Sequence, residues 1–81
     1  MKLPRDVGGE VLVRSLRRFG YEISRQTGSH IRVTSTLKGR EHHVTIPNHK
    51  HLRLGTLAQI LGDVASYLDL SREELAQELF R

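Results

Sequence analysis

The sequence predicts a small α+β fold in which a three-stranded antiparallel sheet carries helices on one face. Apolar residues recur at helical spacing near both ends of the chain, and they alternate with polar residues in three short segments between those ends. With 81 residues, of which 37% are hydrophobic, the chain has material for one modest core. We therefore expect residues 1–81 to form a single domain.

The first helix is predicted between Asp6 and Gly20, because apolar residues recur there at roughly helical spacing. They are Val7, Val11, Leu12, Leu16 and Phe19. Gly8 and Gly9 weaken the first turn, so the helix is free to begin a few residues later, whereas Gly20 is typical of a C-terminal stop. This pattern predicts an amphipathic helix.

Three strands are predicted next, since polar and apolar residues alternate in three segments separated by turn residues. The first covers residues 21–26, with Tyr21 and Ile23 on one side. The second begins at His30, and the third continues until Pro47 ends the pairing. The apolar residues of these two strands are Ile31, Val33, Val44 and Ile46. The short polar turns favour an antiparallel meander.

Two helices are predicted after the sheet. The apolar residues of the longer one are Leu57, Ile60, Leu61, Val64 and Leu68, and we expect Thr56 to cap it. Ser71 and Glu74 have the spacing of a capping box, which predicts a short third helix through Leu75 and Leu79. The resulting order, α-β-β-β-α with a terminal helix, is that of the double-stranded RNA-binding domain and leaves one sheet face open.

Charge is distributed unevenly along the chain. Residues 1–55 hold eleven Lys or Arg against four Asp or Glu, whereas residues 56–81 hold two against five. A basic surface binds nucleic acid largely without regard to base sequence, because neutralised phosphates release their counterions. The asymmetry is compatible with a nucleic-acid ligand, but many basic proteins bind none, so a merely solvated basic surface stays open as the alternative.

Several basic side chains are candidates for phosphate contacts. They are Arg14, Arg17, Arg18, Arg25, Arg32, Lys50 and Arg53. Lys50 and Arg53 precede a helix, whose free N–H groups and dipole favour anions at its N-terminus. We therefore rank Lys50 above the arginines of the first helix.

The composition excludes several classes of protein. The chain has no cysteine, which excludes disulfides, a thiolate zinc site and a cysteine nucleophile. It has no phosphate-binding loop, dinucleotide fingerprint or HExxH helix. It also has no apolar leader and no apolar run long enough to cross a bilayer, so we expect a cytoplasmic protein.

The five histidines do not have the spacing of metal ligands. His49 and His51 lie in a predicted loop, while His42 and His43 point to opposite faces of a strand. No carboxylate lies at a spacing that would complete a three-ligand site. We therefore expect neither a bound metal nor another cofactor.

Gly28-Ser29-His30 combines a glycine turn with a histidine at the start of a strand. The turn lets a substrate backbone approach closely, and the strand fixes the direction of the imidazole. Imidazole changes its protonation near neutral pH, so it can accept a proton from a ribose 2′-hydroxyl or donate one to a leaving 5′-oxygen. An ordinary hairpin turn followed by a polar strand residue has the same pattern, so both interpretations stay open here.

Four segments in a fixed order resemble the HicA family of mRNA interferase toxins. They are an N-terminal helix ending in Phe19-Gly20-Tyr21, Gly28-Ser29-His30, Ile46-Pro47-Asn48-His49, and Gly55-Thr56-Leu57 leading to Ile60-Leu61 before Ser71-Arg72-Glu73-Glu74. Together they span most of the chain, and it is their combination that is specific.

This resemblance implies a ribosome-independent endoribonuclease with the double-stranded RNA-binding-like fold, neutralised by a HicB-type antitoxin. It assigns catalysis to the histidine of Gly-Ser-His, which here is His30. The predicted RNA contacts are Gly28, Ser29, Arg32, His49, Lys50 and Arg53. The expected partners are mRNA and a HicB-type antitoxin, with neither a membrane nor a small-molecule cofactor.

The residues and the resemblance together favour metal-independent cleavage through the 2′-hydroxyl, which predicts that DNA is not cut. Transfer of two protons usually requires a second group, for which His49 and Lys50 are candidates, and this role stays unassigned. One alternative is a non-catalytic module that holds duplex RNA by its shape. Another is a protein that only bridges other proteins, which would require an apolar patch.

Overall fold

The computed structural model describes residues 3–80, and its helices and strands follow one another in the predicted order. They are α1 (Gly9–Leu16), a 3₁₀ turn (Arg17–Phe19), β1 (Glu22–Gln26), β2 (His30–Ser35), β3 (His42–Pro47), α2 (Leu54–Leu68) and α3 (Arg72–Phe80). The strands form one sheet in the order β1-β2-β3, and both pairs are antiparallel. The predicted α+β fold of the double-stranded RNA-binding-domain type is therefore confirmed.

The buried side of α1 contains fewer of the apolar residues than their helical spacing predicts. Leu12, Val13 and Leu16 are buried, whereas Val11 is 45% exposed. Successive residues of a helix are about 100° apart, so once Leu12 and Val13 face the sheet Val11 turns away from it. The predicted place of Val11 on the apolar side of the helix is therefore wrong. Gly20 ends the helical segment with φ of 82°, a left-handed conformation that glycine adopts without a steric penalty.

β1 is an edge strand and is less buried than predicted. Tyr21, just before it, is fully buried, but Ile23 is 43% exposed although it pairs with the buried Val33. Ile23 lines a groove between α1 and β1, where no further strand covers it. Its exposure is thus a consequence of its place at the sheet edge.

β2 and β3 each have one buried apolar face and one polar face, as the alternation of their residues predicts. Ile31, Val33, Val44 and Ile46 are buried. The intervening residues Arg32, Thr34, His43 and Thr45 are half-buried or exposed. Because α1 and α2 both pack on the apolar side, the polar side is the open face of the sheet.

α2 begins at Leu54, three residues before the start that a cap at Thr56 predicts, and Arg53 occupies the N-cap position without a side-chain hydrogen bond. The prediction that Thr56 caps this helix is therefore wrong. Leu52 is buried and its N–H donates to the carbonyl of Val7 at 2.8 Å, so its place in the core determines where the helix can start. Within residues 3–80, no helix has the length and apolar character needed to cross a membrane.

α3 begins with the predicted capping box. The N–H of Glu74 donates to Ser71 Oγ at 3.0 Å, and the N–H of Ser71 donates to Glu74 Oε1 at 2.9 Å. Two N–H groups that the helix cannot satisfy are thereby paired, which confirms the prediction.

A polar cluster of Tyr21, His42 and Tyr67 joins the sheet to α2. The Tyr21 hydroxyl lies 2.6 Å from His42 Nδ1, and the rings of His42 and Tyr67 stack with centroids 4.7 Å apart. Burial lowers the pKa of His42 and raises the pKa of Tyr21 above its ordinary value. Both shifts favour the uncharged forms, so the contact is a hydrogen bond between a phenol and a neutral imidazole.

This cluster predicts that the protein loses stability in mild acid. The pKa of His42 is lower in the folded state than in the unfolded chain, so acid favours unfolding. Its stabilising contribution is complete above the unfolded value of about 6.5 and is lost as the pH falls below it. Urea denaturation between pH 5 and pH 8 should show this loss in the wild type and in His43→Gln, an exposed control. The loss should be smaller in His42→Gln, and an equal loss in all three proteins would contradict the role of His42.

Candidate active site on the open face of the sheet

His30 is the first residue of β2, and a tight turn determines its place. The N–H of Thr27 donates to the carbonyl of His30 at 2.9 Å, and the N–H of His30 donates to Thr27 Oγ1 at 3.1 Å. The next residue, Ile31, is buried among the core residues. Since side chains alternate along a strand, the His30 imidazole lies on the open face and is exposed.

The turn before His30 contacts the segment that follows β3. His30 pairs with Pro47, the N–H of Asn48 donates to the carbonyl of Ser29 at 2.9 Å, and the Asn48 side-chain amide donates to the carbonyl of Gly28 at 3.4 Å. The two segments Gly28-Ser29-His30 and Ile46-Pro47-Asn48-His49 therefore lie side by side.

The imidazole of His30 has one hydrogen-bond partner among the residues that the structure describes. Ser29 Oγ lies 3.0 Å from His30 Nδ1. Within residues 3–80, Nε2 of this ring has no hydrogen-bond partner. A Cβ atom at Gly28 would have no atom within 4 Å, so the turn is open on its outer side. Nε2 is thus the ring nitrogen available to a substrate.

Two arginines lie beside His30 because β1 contains a bulge. The register shifts between Ile23 and Arg25, so that Arg25 pairs with Arg32 on the open face. Arg25, Arg32 and His30 together line a shallow depression with Thr27 and Thr45. No carboxylate within residues 3–80 forms a salt bridge with either guanidinium. The depression therefore combines an imidazole with two cations that form no ion pair with the described part of the chain.

Other predicted contact residues lie elsewhere. His49 and Lys50 line a second depression beside the start of α1, where Gly9 N–H donates to the carbonyl of His49 at 2.9 Å. Arg53 is the N-cap residue of α2. The structure thus does not bring His49, Lys50 or Arg53 into the depression around His30.

The arginines of α1 and of the 3₁₀ turn that follows it lie in two different places. Arg14 and Arg17 line the groove between α1 and β1. Arg18 forms a salt bridge with Glu78 at 3.8 Å and donates a hydrogen bond to the Glu78 carbonyl. None of the three lines the depression around His30.

Sequence reasoning missed three residues at this site, namely Thr27, Thr45 and Asn48. Thr27 lies three residues before His30, a spacing at which a hydroxyl can accept a backbone N–H, so the signal was present in the sequence. The place of Thr45 follows from alternation along β3, but its neighbours depend on strand register. The contact of Asn48 with the turn depends on a pairing 20 residues apart along the chain, which no local pattern reveals.

Histidine and acidic side chains do not form a metal-binding group in the part of the chain that the structure describes. No group of three or more lies close enough together there to hold a metal ion. The chemistry that the depression itself offers is proton transfer by an imidazole and binding of anions by guanidinium groups.

Comparison with known proteins identifies the family. The family model described as HicA toxin of bacterial toxin-antitoxin matches residues 9–65, a range that extends from the start of α1 into α2 and includes the whole sheet. Neither curated proteins nor solved structures gave a match. The matched range includes His30, Arg25, Arg32 and Asn48. The chain therefore belongs to the HicA family of toxins of bacterial toxin–antitoxin systems.

Proposed function

We propose that this toxin is a metal-independent endoribonuclease that cleaves mRNA in the cytoplasm, with His30 as its catalytic residue. The observation that supports this most directly is the shared depression of His30, Arg25 and Arg32. Like charges opposite each other in a sheet destabilise it, so two facing arginines without a carboxylate partner favour an anionic ligand between them. A phosphate of the RNA backbone is such a ligand.

In the proposed reaction, His30 Nε2 accepts the proton of a ribose 2′-hydroxyl, and the 2′-oxygen attacks the adjacent phosphorus. The bond from phosphorus to the 5′-oxygen breaks, and the leaving oxygen takes up a proton. The products are a 2′,3′-cyclic phosphate and a 5′-hydroxyl. Arg25 and Arg32 would stabilise the negative charge that develops on the phosphate oxygens.

The group that protonates the leaving oxygen stays unassigned. Guanidinium groups keep their protons at ordinary pH, so Arg25 and Arg32 are poor acids. His49 and Lys50 lie in the other depression, beside α1. A solvent molecule reaching the open site could supply this proton.

The function is tested by incubating the protein with an end-labelled single-stranded RNA in excess chelator. We expect cleavage and a 2′,3′-cyclic phosphate or its hydrolysis product, a 3′-phosphate. A matched RNA with a single 2′-deoxy nucleotide at the cleavage position should stay intact there, because its nucleophile is missing. Cleavage of both oligonucleotides at that position would falsify the mechanism.

The alternative is a non-catalytic RNA-binding module, which the double-stranded RNA-binding-like fold favours. Such a module would bind RNA in the same assay without producing fragments. Its expression in cells should also be tolerated, whereas a nuclease should arrest growth unless an antitoxin is present.

We also propose that the antitoxin partner is of the HicB type and covers the depression around His30. Its contact surface should carry acidic side chains, because Arg25 and Arg32 have no carboxylate partner within residues 3–80. Loss of RNA cleavage on adding the purified antitoxin would support this placement.

Removing either arginine should weaken RNA binding and reduce its dependence on salt. Each phosphate contact on single-stranded nucleic acid contributes about 0.7 to the slope of log K against log salt concentration. Titrations in a His30→Ala background avoid cleavage, and there Arg25→Ala and Arg32→Ala should each lower the slope by about that amount. Arg72→Ala, at the start of α3, serves as the control. Equal slopes for all variants would place the phosphate contacts elsewhere.

A further inference from the structure

His30 needs neighbouring residues that orient its imidazole, because its side chain is exposed at the start of β2. An exposed imidazole rotates between rotamers, and ordering it costs conformational entropy. Acid–base catalysis requires the reacting nitrogen to lie within hydrogen-bond reach of the proton that it takes. The residues that restrict His30 are therefore part of what the site needs.

Asn48 holds the turn that carries His30. Its main-chain N–H donates to the carbonyl of Ser29 at 2.9 Å and its side-chain amide donates to the carbonyl of Gly28 at 3.4 Å. From the other side, Thr27 exchanges backbone and side-chain hydrogen bonds with the main chain of His30. The carbonyls of three consecutive residues, 28–30, are thus engaged, which limits rotation of the turn.

The Ser29 side chain forms a hydrogen bond with one ring nitrogen of His30. Its hydroxyl lies 3.0 Å from Nδ1, and a hydroxyl can accept a hydrogen bond as well as donate one. When Nδ1 carries the proton and donates to Ser29 Oγ, Nε2 has a free lone pair and can act as a base. After Nε2 takes up a proton, Nδ1–H still donates to the same oxygen, so the contact persists through the proton transfer.

We propose that Ser29 and Asn48 are positioning residues for His30. Asn48 holds the turn, and the Ser29 hydroxyl accepts a hydrogen bond from Nδ1–H, the arrangement in which Nε2 is free to act as a base toward the substrate. The catalytic consequence rests on the proposed function, whereas the selection of the tautomer is a property of the protein alone.

The tautomer is tested first, by long-range ¹H–¹⁵N NMR of the imidazole rings in the protein without RNA. At a pH where the His30 ring is neutral, the wild type should show a protonated Nδ1 and an unprotonated Nε2. Ser29→Ala should give a mixture of tautomers, and Ser29→Thr should restore the wild-type signals. A wild type with the proton on Nε2, or an unchanged spectrum in Ser29→Ala, overturns the proposal whether or not the protein cuts RNA.

Kinetics test the consequence for cleavage. The loss of one hydrogen bond predicts that Ser29→Ala lowers kcat by about three- to tenfold with little change in KM, and that Ser29→Thr recovers most of it. Asn48→Ala should lower kcat less, because its main-chain hydrogen bond remains. Ser66→Ala, exposed on α2, is the matched control. A change confined to KM would mean that Ser29 contacts the RNA and does not orient His30, whereas a wild type that does not cut RNA contradicts the proposed function and leaves the NMR result standing.

Discussion

His30→Ala is expected to lower the kcat of RNA cleavage by about 10² to 10⁴-fold, the range that a general acid or base contributes. The side chain is exposed, and within residues 3–80 its hydrogen-bond partner is the Ser29 hydroxyl, so its removal should leave the free energy of unfolding nearly unchanged. RNA affinity should also persist, because Arg25 and Arg32 stay in place. The measurement is single-turnover cleavage of a labelled RNA in excess chelator, together with thermal denaturation of both proteins.

The control for this substitution is His43→Ala. His43 lies on the same open face but pairs with Thr34, four residues along β2 from His30 and therefore about 13 Å away. It should cut RNA at the wild-type rate. Equal loss of activity in both variants would point to a general disturbance of the sheet face, and full activity in His30→Ala would move the active site elsewhere or expose a contaminating nuclease.

Gly9→Ala is expected to destabilise the protein strongly, although helix propensity alone predicts the opposite. A Cβ atom at Gly9 would lie 2.2 Å from the carbonyl oxygen of Pro47, a backbone atom that cannot rotate away. Separating α1 from this segment costs about 1–3 kcal/mol of overpacking and also strains the hydrogen bond from Gly9 N–H to the His49 carbonyl. For a domain of this size we expect the melting temperature to fall by about 10–20 °C.

Gly55→Ala is the matched control for this prediction. Gly55 lies in the first turn of α2, and an added Cβ would meet no atom within 4 Å. Its replacement should therefore raise stability by up to about 1 kcal/mol through helix propensity. If urea denaturation shows that both alanine variants gain stability, the close approach of α1 to residues 47–49 is wrong.

Gly9→Ala should also affect the candidate active site. The segment that approaches Gly9 continues into Asn48, whose N–H holds the carbonyl of Ser29. A displacement of that segment would therefore also move the turn before His30, because this hydrogen bond joins the two. We therefore expect cleavage to fall even at temperatures where the Gly9→Ala protein is still folded.

Most of the fold could be predicted because its elements have strong local patterns. The alternation in β2 and β3 correctly separated the buried Ile31 and Val33 from the open face, and Ser71 with Glu74 correctly marked the start of α3. The predictions that were wrong concern residues whose burial or secondary structure depends on contacts with residues distant in the chain. Val11 has helical spacing but turns away from the sheet, and α2 starts before Thr56 because Leu52 is held in the core.

By itself, the sequence determined the α+β class, the place of His30 beside a turn at the start of a strand, and the motifs of the toxin family. These depend on periodicity and on the order of short segments, which residues close together in the chain specify. Only the tertiary structure determined which residues lie beside His30 in the folded protein. Period-two alternation would put Arg25 on the same side as Ile23, but the bulge adds one residue to β1 and moves Arg25 to the open face opposite Arg32. Strand register likewise brings Asn48 to the turn and Gly9 against Pro47, contacts that arise only when distant parts of the chain pack together.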